Sequence, residues 1–349
     1  MVLNLELLKK IAETPGISGR EEQVRALMVE ELRTLTDEVN VDPLGNVIAL
    51  KRGKSDRRVM LAAHMDEIGF MVKHIDKQGF IRMQPVGGFD PRVLFAQRVF
   101  VHGSAGERLR GVLMPSSKPI HLMGGEKPAP PTLDDLFVDL GLPQEQVWAK
   151  VDIGDMITMD RTLESVGNMI VSKSMDDRVS LFVMLEALRA LQHHEVTIFA
   201  VATVQEEVGL RGAATAAYHI DPDISVALDI TLANDIPGGA DQDAVTRLGE
   251  GTAIKVFDSS HIANYKLVRH FRDLAKQHHI PHQLEVLPRG GTDAGAMQRA
   301  RAGSPAITLS TPTRYVHTVN EMLHQADLEA GITLLARYLE DAHNGDYSL

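Results

Sequence analysis

TIFAVATVQEEVGL, residues Thr197–Leu210, is the stretch on which the reading of the whole chain turns. Thr197–Val204 is apolar or β-branched throughout, the composition of a strand buried inside a sheet. It stops at two adjacent carboxylates, Glu206 and Glu207, with no Lys or Arg among the next three residues to pair with them. The helix-prone AATAAYHI follows. A buried strand running through a short loop into a helix is the repeating unit of an α/β sheet. In such sheets ligands bind beyond the carboxyl ends of the strands.

The same alternation extends in both directions. Upstream, Asp177–Leu191 carries Val179, Phe182, Val183, Leu185 and Leu188 at helical spacing. Downstream come the strand DISVALDI, the amphipathic helix NYKLVRHFRDLAKQHH, the strands HQLEVLP and SPAITLS, and a last helix over 327–343. At the other end, 4–13 reads as a short helix closed by Pro15 and Gly16. Ser18 and Glu21 have the spacing of a capping box for a second helix, with Val24, Leu27, Met28, Leu32 and Leu35 on its apolar face. EVNVDPLGNVIALKRG reads as a hairpin, and RRVMLAAH as a strand ending at His64. Between Gly69 and Val166 the texture changes to short β-prone pieces separated by Gly, Asp and Pro. LDDLFVDLG is the best helix candidate there, and 116–131 reads as a mobile or interface-forming loop. The expectation is an α/β domain formed by 1–68 and 167–349, split by a β-rich, barrel-like or sandwich-like insertion over 69–166.

Composition narrows the function. The chain has 349 residues, 44% hydrophobic and 24% charged, as in an ordinary soluble protein. Its formal charge of −11 disfavours nucleic acid as a partner and suits attraction of a cationic group such as a peptide's free amine. No apolar run reaches the roughly 20 residues of a membrane span, and MVLNLELLKK lacks the features of a signal peptide. The absence of cysteine excludes disulfides and thiolate metal sites and fits the cytoplasm.

The strand ends hold the chemistry. His64 and Asp66 follow the first apolar strand, Glu206 and Glu207 the second, and Asp229 closes SVALDI. His317 lies in TRYVHT after ITLS, and Asp176 lies in KSMDDR at a helix start. Each alone has an ordinary structural use. Several carboxylates gathered at one rim require a compensating cation, because burying them singly is costly. Imidazole and carboxylate donors without thiolate suit zinc, cobalt or manganese. Asp66, two residues beyond His64, would project to the same side and orient its ring. The carboxylates exceed what one open zinc site needs, so two ions sharing one aspartate use them better. One of the paired glutamates would then ligate, leaving the other to move protons.

AAHMDEIGFMV, SKSMDDR, VQEEVGLRGA, VALDI, GGTDAG and RYVHT occur in the order found in the M42 metallo-aminopeptidases, which this chain resembles over essentially its whole length. The resemblance implies that His64, Asp176 and Asp229 hold one metal, and that Asp176, Glu207 and His317 hold the other. It implies Glu206 as general base and Asp66 as the residue orienting the metal-bound histidine. It also implies peptide substrates, dimerisation through the insertion, and six dimers forming a tetrahedral dodecamer. Arg289, just before GGTDAG, is the candidate for recognising an acidic first residue, with Arg314 a weaker one. A related di-metal carboxypeptidase or deacylase is the main alternative, ahead of a metal-free glycoside hydrolase using paired carboxylates. A non-enzymatic scaffold would have no need of a complete ligand set.

Overall fold

The structure is a computed structural model and describes residues 3–124 and 132–349. The chain divides into two compact units. The first is built from Met1–Glu67, Leu163–Val316 and Asn320–Leu349; the second is Ile68–Thr162 with His317–Val319. In chain order, helices α1 (Leu5–Glu13) and α2 (Glu22–Arg33) precede strands β1 (Glu38–Val41), β2 (Val47–Lys51) and β3 (Arg58–His64). The second unit holds β4 (Gly69–Ile75), β5 (Ile81–Val86), β6 (Gln97–His102), β7 (Arg108–Pro115), β8 (Leu136–Asp139), α3 (Gln144–Lys150) and β9 (Met156–Met159). Then follow β10 (Glu164–Val166), β11 (Met169–Ser172), α4 (Met175–Ala190), β12 (Thr197–Thr203), α5 (Arg211–Ile220) and β13 (Ile224–Leu232). The last elements are β14 (Thr252–Phe257), α6 (Tyr265–Gln277), β15 (His282–Val286), α7 (Asp293–Gln298), β16 (Ala306–Thr313), β17 (Glu321–His324) and α8 (Gln325–Asp341).

Eight strands form the main sheet in the order β1-β2-β12-β3-β13-β16-β14-β15. Its centre is parallel, with β12 on β3, β3 on β13 and β13 on β16, while β2 runs against both its neighbours and β14 runs against β16 but parallel to β15. The central strands are apolar on both sides because helices cover both faces. Val59, Leu61 and Ala63 of β3 join the core of α1, α2, α4, α6 and α8. Met60 and Ala62, one residue out of phase, join the core of α5 and α7. Helix α4 is apolar nearly all round, and every residue from Met175 to Leu185 is buried.

In the second unit, strands close into a barrel in the order β4-β5-β8-β7-β6-β9. Phe70, Val72, Ile81, Val99, Val101, Leu113, Val138 and Ile157 fill it. Closure leaves no edge strand to blunt. LDDLFVDLG, read as a helix, is instead a single 3-10 turn at Leu133–Asp135 followed by β8. Leu136 and Val138 are buried at two-residue spacing, so barrel filling overrides the helical pattern. The short helix α3 lies nearby and sends Val147 into the same core. Residues 125–131 of the loop expected over 116–131 lie outside the described residues. The unit ends at Thr162 rather than 166, because β10 pairs with β11 and β11 with β17 in a separate three-stranded sheet. Among the described residues no helix is long and apolar enough to cross a membrane.

Candidate active site

Register brings the chemistry to one level. In the parallel pair β12/β3, Thr203 stands opposite His64, so the two strands end together. Asp229 lies in β13, next to β3 on its other side. At the start of α4 the backbone departs from helical angles at Asp176 (φ −75°, ψ 105°) and Asp177 (φ −120°, ψ 32°). Their carboxylates consequently reach different parts of one residue. Asp176 Oδ1 lies 3.1 Å from His64 Nε2, and Asp177 Oδ2 accepts the His64 backbone N–H at 3.2 Å.

Ligand-type atoms converge in two sets. His64, Asp176 and Asp229 place one donor atom each within 4.8 Å of one another, and Asp176, Glu207 and His317 do the same. Asp176 is common to both. The electrostatics call for cations. Burial first, and then the neighbouring Asp176 carboxylate, push the Asp229 carboxyl well above the usual range. Burial opposes charge on the His64 ring, yet Asp176 and Asp66 together raise its pKa well above the ordinary value. Without a cation these groups are driven to hold protons that relieve their crowding; divalent ions would relieve it at neutral pH by taking the protons' place. The donor set of imidazole and carboxylate, free of thiolate, fits such ions.

Glu206 is next to this cluster and belongs to neither set. Its Oε2 lies 3.9 Å from His64 Nε2, and its side chain is 10% exposed. Burial, followed by repulsion from Asp229, Asp293 and Glu207, raises its pKa well above the usual carboxylate range despite the opposing pull of His64.

Asp66 has a broader part than orienting a ring. His64 Nδ1 lies 2.9 Å from the Asp66 backbone carbonyl, with the carboxylate more distant at 3.5 Å. The carboxylate accepts the Ser18 hydroxyl at 2.6 Å and the backbone N–H groups of Glu206 and Glu207 at 3.0 and 3.2 Å. Burial alone would raise its pKa; the histidine and these donors bring it below the ordinary value instead. Ser18 and Glu21 do not form the expected capping box. Helix α2 starts at Glu22 without a side-chain cap, and Glu21 Oε1 accepts the N–H of Gly19 at 2.7 Å and of Gln205 at 3.2 Å.

A buried pair of cationic side chains adjoins the cluster: Lys173 and Arg178 meet at Glu67, one residue along from Asp66, and Arg178 directly follows Asp177. Lys173 Nζ lies 2.6 Å and Arg178 Nη2 3.6 Å from opposite oxygens of Glu67. Arg178 also donates to the carbonyls of Ile11, Thr14 and Gly16, tying α1 and the following turn to the start of α4.

GGTDAG delivers another buried carboxylate that sequence reading left without a role. Asp293 Oδ2 accepts the Thr203 hydroxyl at 2.6 Å, and burial raises its pKa to about 6. Its Oδ1, like Asp177 Oδ1, is buried without a hydrogen-bond partner among the described residues. The glycines have a steric reason. A Cβ on Gly295 would lie 2.5 Å from Ser260 Cβ, and one on Gly291 would lie 2.8 Å from it. Arg289 is exposed in the preceding loop and makes no side-chain hydrogen bond or ion pair among the described residues. Arg314 is committed elsewhere, forked onto both oxygens of Asp235 at 2.6 and 2.7 Å.

The chain is similar to known aminopeptidases over nearly its whole length. A lysyl aminopeptidase of Pyrococcus furiosus is 38% identical over 99% of this chain and 100% of its own. The structure of an aminopeptidase from the archaeon Desulfurococcus kamchatkensis superposes with a TM-score of 0.93, at 40% identity over 96% of this chain and 94% of that one. The TET1 peptidase of Pyrococcus horikoshii, described as assembling into a tetrahedron or a large octahedral shell, matches with a TM-score of 0.86. It is 32% identical, over 96% of this chain and 98% of its own. The family model described as M42 glutamyl aminopeptidase matches residues 45–334, and the chain belongs to that family of metal-dependent aminopeptidases.

Proposed function

We propose that the chain removes residues from the free N-termini of short peptides, with Glu206 as general base beside two divalent cations. His64, Asp176 and Asp229 would hold one ion, and Asp176, Glu207 and His317 the other. The carrying observation is that two ligand sets share Asp176 while Glu206, at their side, enters neither. Bound zinc, cobalt or manganese would polarise the scissile carbonyl and make water acidic enough to be deprotonated near neutrality. Glu206 takes a proton from the attacking water and returns it to the departing amine. Asp66 orients His64 and holds the backbone of the glutamate pair. Carboxylates beyond the ligand sets, Asp177 and Asp293 among them, make a surrounding suited to a substrate ammonium group.

Arg289, exposed and unengaged, is our candidate for favouring Glu or Asp as first residue. The family description names glutamyl and a near relative lysyl specificity, so preference within this family varies. We place the active form as a homo-oligomer, with the barrel unit as dimer contact and a tetrahedral dodecamer as the assembly, by analogy with the TET1 peptidase. The cysteine-free composition suits a cytoplasmic location.

Glu206→Gln tests the base. Metal content measured by mass spectrometry should stay at the wild-type level, while turnover of an unblocked dipeptide falls at least about a hundredfold. N-acetylated peptides should be left intact by the wild type, and chelation should stop activity. Full turnover by a metal-loaded Glu206→Gln protein removes the assignment.

A further inference from the structure

Between β12 and α5 the chain makes a turn whose donors have an unusual set of partners. Four consecutive backbone N–H groups, Val204 to Glu207, each donate to a side-chain oxygen. Val204 donates to Asn46 Oδ1 at 3.1 Å and Gln205 to Glu21 Oε1 at 3.2 Å. Glu206 donates to Asp66 Oδ1 at 3.0 Å and Glu207 to Asp66 Oδ2 at 3.2 Å. Gln205 itself is left-handed, with φ 55°, a conformation that a residue with a Cβ adopts only when its surroundings hold it. The holding groups come from three places far apart in sequence: the segment after α1, the hairpin between β1 and β2, and the end of β3.

The segment after α1 is itself fixed at both of its contact points. Ser18 Oγ donates to Asp66 at 2.6 Å, bracing the carboxylate that holds the two glutamates. Glu21 receives the Gly19 N–H through the same oxygen that receives Gln205. Ser18 and Glu21 are 4% and 2% exposed. Neither belongs to a ligand set.

We propose that Ser18 and Glu21 are positioning residues for catalysis. By pinning the left-handed Gln205 and the Asp66 carboxylate, they set the direction in which Glu206 leaves the backbone. The inference rests on the general-base reading of Glu206. A base displaced by about 1 Å loses on the order of a hundredfold in rate while substrate contacts elsewhere persist. The loss should therefore fall on kcat and spare KM.

The experiment compares Glu21→Ala, Glu21→Gln and Ser18→Ala with wild type and Glu206→Gln, in metal-replete protein well below each melting temperature. Glutamine keeps an oxygen for Gln205 and alanine does not. Glu21→Ala should lose about 30- to 100-fold in kcat with KM within about twofold and metal content unchanged. Glu21→Gln should recover most of that loss, and Ser18→Ala should lose about tenfold. If Glu21→Ala does not fold, Glu21→Gln and Ser18→Ala decide alone: a kcat within twofold of wild type for Ser18→Ala overturns the proposal. So does a Glu21→Gln enzyme as slow as Glu21→Ala, or a loss that follows metal content. An active Glu206→Gln enzyme refutes the base reading itself; an inactive one beside fully active Glu21 and Ser18 variants refutes the positioning alone.

Discussion

Replacing Glu67 with glutamine keeps the shape of a buried side chain and deletes the negative charge that acts most strongly on two buried cations. Lys173 lies 2.6 Å and Arg178 3.6 Å from its oxygens, and all three residues are 5% exposed or less. At an effective dielectric of about 20, Coulomb's law gives roughly 6 and 5 kcal/mol for the two attractions, before the cost of desolvation. What the variant can lose is smaller. Lys173, its pKa already lowered by burial, can shed its proton, and from a reference pKa of 10.5 this costs at most about 5 kcal/mol at pH 7. Arg178 retains its three backbone carbonyls. The expected loss is about 3–5 kcal/mol, that of a broken buried pair.

The sign with pH follows from the lysine. A basic group whose folded pKa is depressed is more protonated in the unfolded chain, so stability rises with pH between its folded and unfolded values. Removing Glu67 deepens the depression, so the deficit relative to wild type should shrink from pH 7 toward pH 10. Urea unfolding of metal-loaded protein, followed by circular dichroism at several pH values, measures this. A deficit below about 1 kcal/mol, or one that widens with pH, would refute the reasoning.

Two further outcomes are expected. Gly295→Ala brings a Cβ to 2.5 Å from Ser260 Cβ and 2.9 Å from its carbonyl, and should cost about 1–3 kcal/mol in urea unfolding. Adding Ser260→Gly should restore part of it, and a double variant no better than the single one speaks against this contact. Arg289→Ala should lower kcat/KM for Glu-p-nitroanilide about tenfold or more while leaving the Leu and Lys substrates near wild type, as expected for one lost charge-assisted hydrogen bond. A strong Leu preference unchanged by the substitution discards Arg289 as a specificity residue.

The sheet was legible because burial on both faces writes itself into continuous apolar runs such as VTIFAVATV and RRVMLAAH, and strand ends then point to the site. The barrel was legible as a change of texture. Its β8 was not, because Leu133–Leu140 fits either period and only the barrel's interior chooses between them. With 47 acidic residues and 15 histidines in the chain, the candidate ligands stood out only because they close apolar strands or open helices within motifs that resemble those of the M42 family. Ser18 and Glu21 show the opposite case. Their spacing satisfies a local rule, the capping box, and only the distant Asp66 and Gln205 reveal their other partners. Asp293 had a visible signal in GGTDAG, yet a lone aspartate at a helix start has too many ordinary uses to be assigned without neighbours.

Helix α4 presents no solvent side over its first three turns, from Met175 to Leu185. Asp176 is thus carried on a segment packed into the interior, with little room to swing aside while the core stays closed. If Asp176 is the shared ligand proposed above, its ordering entropy is spent when the chain folds, and ion capture would have little left to organise. The same rigidity ties the chemistry to the architecture, since moving that one carboxylate would mean repacking the centre of the molecule.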